Sequence, residues 1–129
     1  MSVQLNHHIV WARDQRSTAG FFAEFLGLPA PAEHPPFTTV ELDNAIQLDF
    51  LSTDGPVSSQ HYAFLVTEAE FDEIYARIKE NGIAFWAGPG HHGPQRINTR
   101  DGGRGIYFDD PNGHALEVIT RPYGSGSPD

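Results

Sequence analysis

Cysteine is absent from this 129-residue chain, which excludes disulfides, thiolate metal sites and a cysteine nucleophile. Basic residues are scarce as well, with 8 Lys and Arg against 17 Asp and Glu and a formal charge of −9. That balance repels phosphate backbones and anionic lipid, so nucleic acid and membranes are excluded as partners and small molecules and metal cations are favoured. The apolar runs fall far short of the ~20 residues that a bilayer-spanning helix needs. The first residues carry no basic region, apolar signal core or small-residue cleavage site, which points to the cytoplasm.

What is present is the composition of a folded protein, 39% hydrophobic and 19% charged, in the size range of a single domain. Seven histidines nearly match the 8 Lys and Arg, and neutral imidazole is the commonest protein ligand for metals.

Leu5 to Ala12 reads as a first strand. Asp14 is placed to cap a helix through about Leu26, with Phe21, Phe22, Phe25 and Leu26 as its apolar stripe and Gly27 as its stop. A proline-rich connection, Pro29 to Pro36, leads to strands at Phe37 to Leu42 and Ala45 to Leu51, joined at Asp43-Asn44. The polar stretch Thr53 to Gln60 is a linker between halves. His61 to Val66 then repeats the strand character of the opening. Thr67 and Glu70 form a capping box for a helix through about Asn81, which Gly82 closes. Ala84 to Ala87 is a short strand, followed by a loop bearing His91 and His92. The closing hairpin runs from Gly105 to Asp109 and from Ala115 to Thr120, and a flexible tail occupies residues 122–129.

His7 falls on His61 at an offset of 54 residues (61 − 7), and the helix stripes follow at 53 (74 − 21). The chain is therefore expected to be one α+β domain of two βαβββ modules, about 4–52 and 61–121, forming a curved mixed sheet around a cavity. Strand parity puts His7, Ile9 and Trp11 on one face, and His61, Ala63 and Leu65 on the equivalent face. Glu117 points opposite to Leu116 and Val118, and a carboxylate among apolar neighbours needs a partner. Pseudo-symmetry lets His7, His61 and Glu117 converge, a facial set suited to one divalent Fe, Mn, Zn, Ni or Co ion with open positions for substrate.

Leu5 to Val10 with Arg13-Asp14, Phe22 to Pro29, His61 to Val66 and Ile106 to Ile119 together resemble the vicinal oxygen chelate superfamily, the glyoxalase, bleomycin resistance protein and extradiol dioxygenase family. The resemblance implies that the glutamate of the closing hairpin, Glu117, is a ligand. A fourth ligand in the glyoxalase-like members lies on the last strand of the first half. One local match places Gln47 there and another places Asp49 there; parity does not choose, since both share a face. Tyr107, on the strand paired with Glu117, is positioned to donate its hydroxyl to substrate, and Trp11 to line the pocket with Gln47 and Asp49. His8 reads as structural, His34, His91 and His92 as solvent-facing, and His114 as non-catalytic. Trp86 has a pocket or a core reading.

The expected activity is that of a metalloenzyme that chelates vicinal oxygens of a small substrate, with lyase, isomerase or dioxygenase chemistry. One alternative is a non-catalytic drug- or metabolite-sequestering protein of the bleomycin-binding type. Another, ranked lower, is a fosfomycin-type thiol transferase, because its cationic anchor would have to come from Arg96, Arg100 or Arg104 in the long loop. Open sheet edges and the short members of the superfamily imply a homodimer, in which halves can be exchanged between chains.

Overall fold

The structure, a computed structural model, describes residues 2–126. It divides into two compact units, Met1–Ser58 and Ser59–Asp129. The first unit contains β1 (His7–Ala12), α1 (Gln15–Leu26), β2 (Ala32–His34), β3 (Phe37–Glu41) and β4 (Gln47–Ser52). The second contains β5 (His61–Leu65), α2 (Glu68–Glu80), β6 (Phe85–Gly88), β7 (His92–Pro94), β8 (Gly105–Asp109) and β9 (Ala115–Ile119), with a single 3-10 turn at Arg100–Gly102. The class is α+β, and each unit has its own mixed sheet. Strand order is β1-β4-β3-β2 in one and β5-β9-β8-β6-β7 in the other. In both sheets the first strand runs parallel to the last, and the other pairs are antiparallel.

Local chemistry sets the helix limits. The Asp14 carboxylate accepts from the backbone N–H of Arg16 and Ser17, and Gly27 turns left-handed to end α1 (φ 69°). In α2 the Thr67 hydroxyl and Glu70 carboxylate form a reciprocal capping box. α1 packs Phe22 edge-on to Phe50 of β4, ring centroids 5.0 Å apart, beside the buried Val10, Val40 and Leu48. α2 buries Phe71, Ile74 and Ile78, while Phe85, Ile106, Phe108, Leu116 and Val118 complete the core of the second unit. Each sheet thus commits one face to its helix and leaves the other for polar and aromatic side chains.

Two short strands depart from expectation. β2 lies inside the proline-rich connection and β7 inside the long histidine-bearing loop. Both are edge strands of three residues, formed by pairing with β3 and β6 rather than by a pattern of their own. The second module therefore carries β7 as an additional edge strand on its βαβββ frame. β4 begins at Gln47 instead of Ala45 because Ala45 sits in the hairpin turn with a left-handed backbone (φ 63°). The expected flexible tail is tied down where it is described: the N–H groups of Gly124 and Gly126 donate to the Asp101 carboxylate, and the Arg121 guanidinium to the Gly126 carbonyl. Ser127 to Asp129 lie outside the described residues.

Below Glu117, the β8–β9 turn is built on Asp110, whose carboxylate accepts from the backbone N–H of Asn112 and His114. His114 is fully buried, accepts from the Gln60 N–H through Nδ1 and meets the Tyr62 ring edge-on, 5.6 Å between centroids. Its role is structural.

Two outcomes follow from these contacts. Replacing Thr67 by Ala is expected to cost about 1 kcal/mol in urea unfolding, with Ser retaining most of the stability. Burial, reinforced by the Asp110 charge, pushes the Tyr62 phenol from 10.0 up to about 12. Between these values the unfolded chain releases the proton that the folded chain keeps, so stability is intact below pH 10 and falls as pH rises toward 12. Tyr62→Phe should flatten that alkaline loss in pH-dependent thermal unfolding.

Candidate metal centre and substrate face

The β5–β9–β8 ladder assembles this site. His61 lies opposite Ala115, Ala63 opposite Glu117, and Glu117 opposite Tyr107. Lateral neighbours in a sheet project to the same side, so His61, Glu117 and Tyr107 share the face away from α2. Tyr107 therefore stands on the side expected for a residue that meets substrate.

Glu117 is fully buried between Leu116 and Val118, and its Oε1 lies 2.9 Å from His61 Nε2. His61 Nδ1 is 3.1 Å from the carbonyl oxygen of Ala115. A carbonyl can only accept, so Nδ1 carries a proton; Nε2 faces the carboxylate, donating to it from an imidazolium and turning a lone pair on it from a neutral ring. Two lone-pair donors aimed at each other repel unless a proton or cation lies between them. Glu117 Oε2 is buried and has no hydrogen-bond partner, which is costly for a carboxylate oxygen. An orphaned oxygen, a tautomer fixed by a backbone carbonyl and a half-exposed imidazole (49%) are what a pair of metal ligands requires.

Tyr107 is buried, and its hydroxyl receives a hydrogen bond from Arg100 Nη1 at 3.1 Å and meets the Tyr123 hydroxyl at 3.0 Å. Arg100 also donates to Tyr123 at 3.1 Å. Burial raises the Tyr107 pKa above the ordinary phenol value; the Arg100 hydrogen bond opposes this, and a hydrogen-bonding interaction with Glu117, together with its charge, adds to it. The phenol therefore stays protonated and can donate. Arg104, by contrast, is committed elsewhere, to Glu68 at 2.7 Å and Asp72 at 2.8 Å, with its guanidinium over the Phe71 ring. Of the loop arginines, Arg100 is the one held at the tyrosine hydroxyls, so the cationic anchor expected only in a remote loop does reach the site face.

His91 is exposed, as expected, but it is not without partners. Its ring lies on Trp86, 3.8 Å between centroids, and its Nε2 donates to Asp109 Oδ2 at 2.9 Å. Trp86 is the ladder partner of Tyr107 and so joins the same face. Sequence reasoning passed over Asp109 and Tyr123 altogether. Asp109 was detectable by parity, two residues from Tyr107 on one strand, whereas nothing local marks Tyr123.

In the first unit, His7 lies opposite Gln47 and Ile9 opposite Asp49 on β4, with the partly exposed Trp11 further along the same face of β1. Its Nδ1 is 2.8 Å from Asn6 Oδ1. Aligning His7 with His61 makes Gln47 the counterpart of Ala115 and Asp49 the counterpart of Glu117. Thr39 opposite Asp49 likewise corresponds to Tyr107 opposite Glu117. Register thus selects Asp49 over Gln47 as the equivalent position. Asp49 is buried and satisfied, accepting from the Thr39 hydroxyl at 2.9 Å. Among the described residues of the single chain, no group of three or more His, Asp or Glu side chains is arranged to hold an ion.

Comparison with known proteins adds the following. The profile of the Glyoxalase/Bleomycin resistance protein/Dioxygenase superfamily matches residues 4–118. The glutathione transferase FosA of Serratia marcescens is 27% identical over 124 residues, covering 92% of this chain and 81% of its own. The solved structure of oxidase ChaP-H1 is 56% identical with a TM-score of 0.93, covering 95% of this chain and 99% of its own. That of oxidase ChaP-H2 is 54% identical with a TM-score of 0.95, covering 98% and 100%.

A buried carboxylate with one oxygen lacking a partner is a liability in the absence of an ion. Glu117→Met should therefore stabilise the metal-free protein by about 1–3 kcal/mol, read by urea unfolding in the presence of chelator. A loss of stability would show that the carboxylate is already satisfied.

Proposed function

The chain belongs to the Glyoxalase/Bleomycin resistance protein/Dioxygenase superfamily, and within it we propose that this protein is a divalent-metal-dependent oxidase of a small substrate bearing vicinal oxygens. The observation that carries the metal is the buried Glu117, one oxygen facing His61 Nε2 and the other without a partner. The choice of oxidation over lyase or isomerase chemistry is supported by two oxidases that are more than half identical along nearly their whole length.

His61 and Glu117 would hold the ion together with His7. Once bound, the ion supplies a Lewis acid for the substrate oxygens and open positions for dioxygen. The protein's own groups do the rest. Arg100 attracts an ionised substrate oxygen, and Tyr107, protonated and hydrogen-bonded, fixes its orientation. Trp11, Gln47 and Asp49 are assigned to the substrate pocket.

The working form is a cytoplasmic homodimer. Ile9, Trp11 and Leu65 leave large apolar surface exposed on the open faces of the two sheets, which self-association would cover. We assign His7 of one copy to the His61–Glu117 pair of another, the exchange of halves that short members of the superfamily imply. No helix of the described residues is long and apolar enough to cross a membrane.

A second reading, thiol transfer to an epoxide-bearing drug, is favoured by Arg100 at the site face and by the match to glutathione transferase FosA. Turnover of glutathione with fosfomycin, in place of oxygen uptake, would establish it.

The oxidase reading is tested with an oxygen electrode on Fe(II)- and Mn(II)-loaded protein given catechol-type substrates. Oxygen uptake should vanish with chelator and in His61→Ala and Glu117→Gln, and the reading is lost if the loaded protein consumes no oxygen with any of them. Mixing inactive His7→Ala and Glu117→Gln chains should restore about a quarter of wild-type uptake if ligands come from two copies, because half the dimers are mixed and each holds one intact set. No recovery after subunit exchange would place all three ligands in one chain.

A further inference from the structure

The open face of the β5–β9–β8–β6 sheet is a run of nearly parallel rings. His61 and Tyr107 stack at 5.8 Å and 20°, Trp86 follows as the ladder partner of Tyr107, and His91 lies over Trp86 at 3.8 Å and 10°. Ala63 and Ala115, beside Glu117 and His61, keep the floor low. The seat on the half-buried indole is thus already shaped for a flat ring, and an imidazole occupies it.

His91 is a poor permanent occupant. A face-to-face sandwich is the least favoured arrangement of two aromatic rings. The His91 backbone is left-handed (φ 62°), a conformation that a β-carbon opposes. It stands at the tip of the β6–β7 hairpin with Gly90 (φ 67°) before it and Gly93 (φ 66°) soon after, residues that let the tip change course. Its remaining anchor, the hydrogen bond to Asp109, joins side chains that are 59% and 38% exposed, where water competes.

We propose that the Trp86 face is the seat for the distal ring of a planar, multi-ring aromatic substrate, and that His91 is a placeholder that yields it. The proposal deepens the oxidase reading and rests on it for the end of the substrate that reaches His61 and Glu117. From β5 to β6 there are three inter-strand steps, about 14 Å, which a single ring does not bridge. A fused system lies across Tyr107 with its vicinal oxygens at one end and its last ring on the indole. In the free protein His91 shields that indole face from water, and the substrate regains by stacking what the imidazole gives up.

The test uses Zn(II)-loaded protein, which is diamagnetic, with NMR of the His91 ring protons and calorimetry. The probes are catechol, anthracene-1,2-diol and anthracen-2-ol; the last has the rings without the vicinal pair. The three-ring diol should bind at least about tenfold more tightly than catechol and move the His91 signals away from their ring-current-shifted position. His91→Gly, which suits the left-handed backbone, should tighten the three-ring diol by about threefold and leave catechol unchanged, since the competing occupant is gone. Trp86→Leu should erase the preference for three rings. If catechol binds but the three-ring diol leaves His91 in place, or if Trp86→Leu retains the preference, the seat is overturned and the oxidase reading stands. If neither diol binds while anthracen-2-ol still moves His91, the oxidase reading fails and the seat stands. If anthracen-2-ol also leaves His91 unmoved, both fall.

Discussion

The parallel pairing of β5 with β9 is the constraint on which the site depends. β9 lies between β5 and β8, and its Leu116 and Val118 are fully buried. Alternation then forces Glu117 onto the opposite face. A slip of one residue would drive the carboxylate toward α2 and turn two core side chains outward, so the hydrophobic core itself locks the register. Nothing at the metal pair has to hold Glu117 in place. The same core that stabilises the unit positions the carboxylate 2.9 Å from His61 and keeps its second oxygen from finding a protein partner. A carboxylate held this way is positioned by the core rather than by the groups it faces.

The two units show what turns this ladder into a ligand pair. At equivalent positions the first unit has Asp49 facing Thr39 and the second has Glu117 facing Tyr107. The Thr39 hydroxyl is short and local, and it satisfies Asp49 directly. The Tyr107 hydroxyl is longer in reach and engages Arg100 and Tyr123. Glu117, one methylene longer than Asp49, reaches the histidine of its partner strand, whereas His7 pairs through Nδ1 with Asn6 Oδ1. One copy of the repeat has thus resolved its buried carboxylate internally, and the other keeps one carboxylate oxygen without a hydrogen-bond partner.

How much of this could be read from the sequence follows from how local each cause is. Both helices were legible, down to the Asp14 cap and the Thr67–Glu70 box, because capping chemistry is written within four residues. So were the strands bearing His7, His61 and Glu117, whose side chains alternate with core residues. β2 and β7 were not legible, since three residues at a sheet edge acquire strand geometry from the neighbour they pair with. The choice between Gln47 and Asp49 failed for the same reason. The similarity of Ala45-Ile46-Gln47-Leu48 to Ala115-Leu116-Glu117-Val118 is a local match, but Ala45 is a turn residue (φ 63°), and equivalence is decided by ladder register with β1 and β3. The contacts of His91 with Asp109 and of Arg100 with Tyr123 join positions 18 and 23 residues apart, with no periodicity to announce them.

Charge gives the last link between composition and chemistry. In a chain with 17 acidic and 8 basic side chains, an arginine has many carboxylates to choose from, and Arg104 takes two of them. Arg100 instead gives its hydrogen bonds to two phenol oxygens, and no ion pair involves it among the described residues. Phenols hold a guanidinium in position without neutralising it, so its field remains available to whatever enters the face. Two neutral imidazoles and one carboxylate would leave a divalent ion with a net charge of +1, and Arg100 adds another. The acidic surface repels anions at a distance, but on the proposed reading the loaded site would be electropositive and would favour the ionised form of a hydroxylated substrate. The protonated Tyr107 beside it completes the selection, because it can donate to an anionic oxygen and gains less from a neutral one.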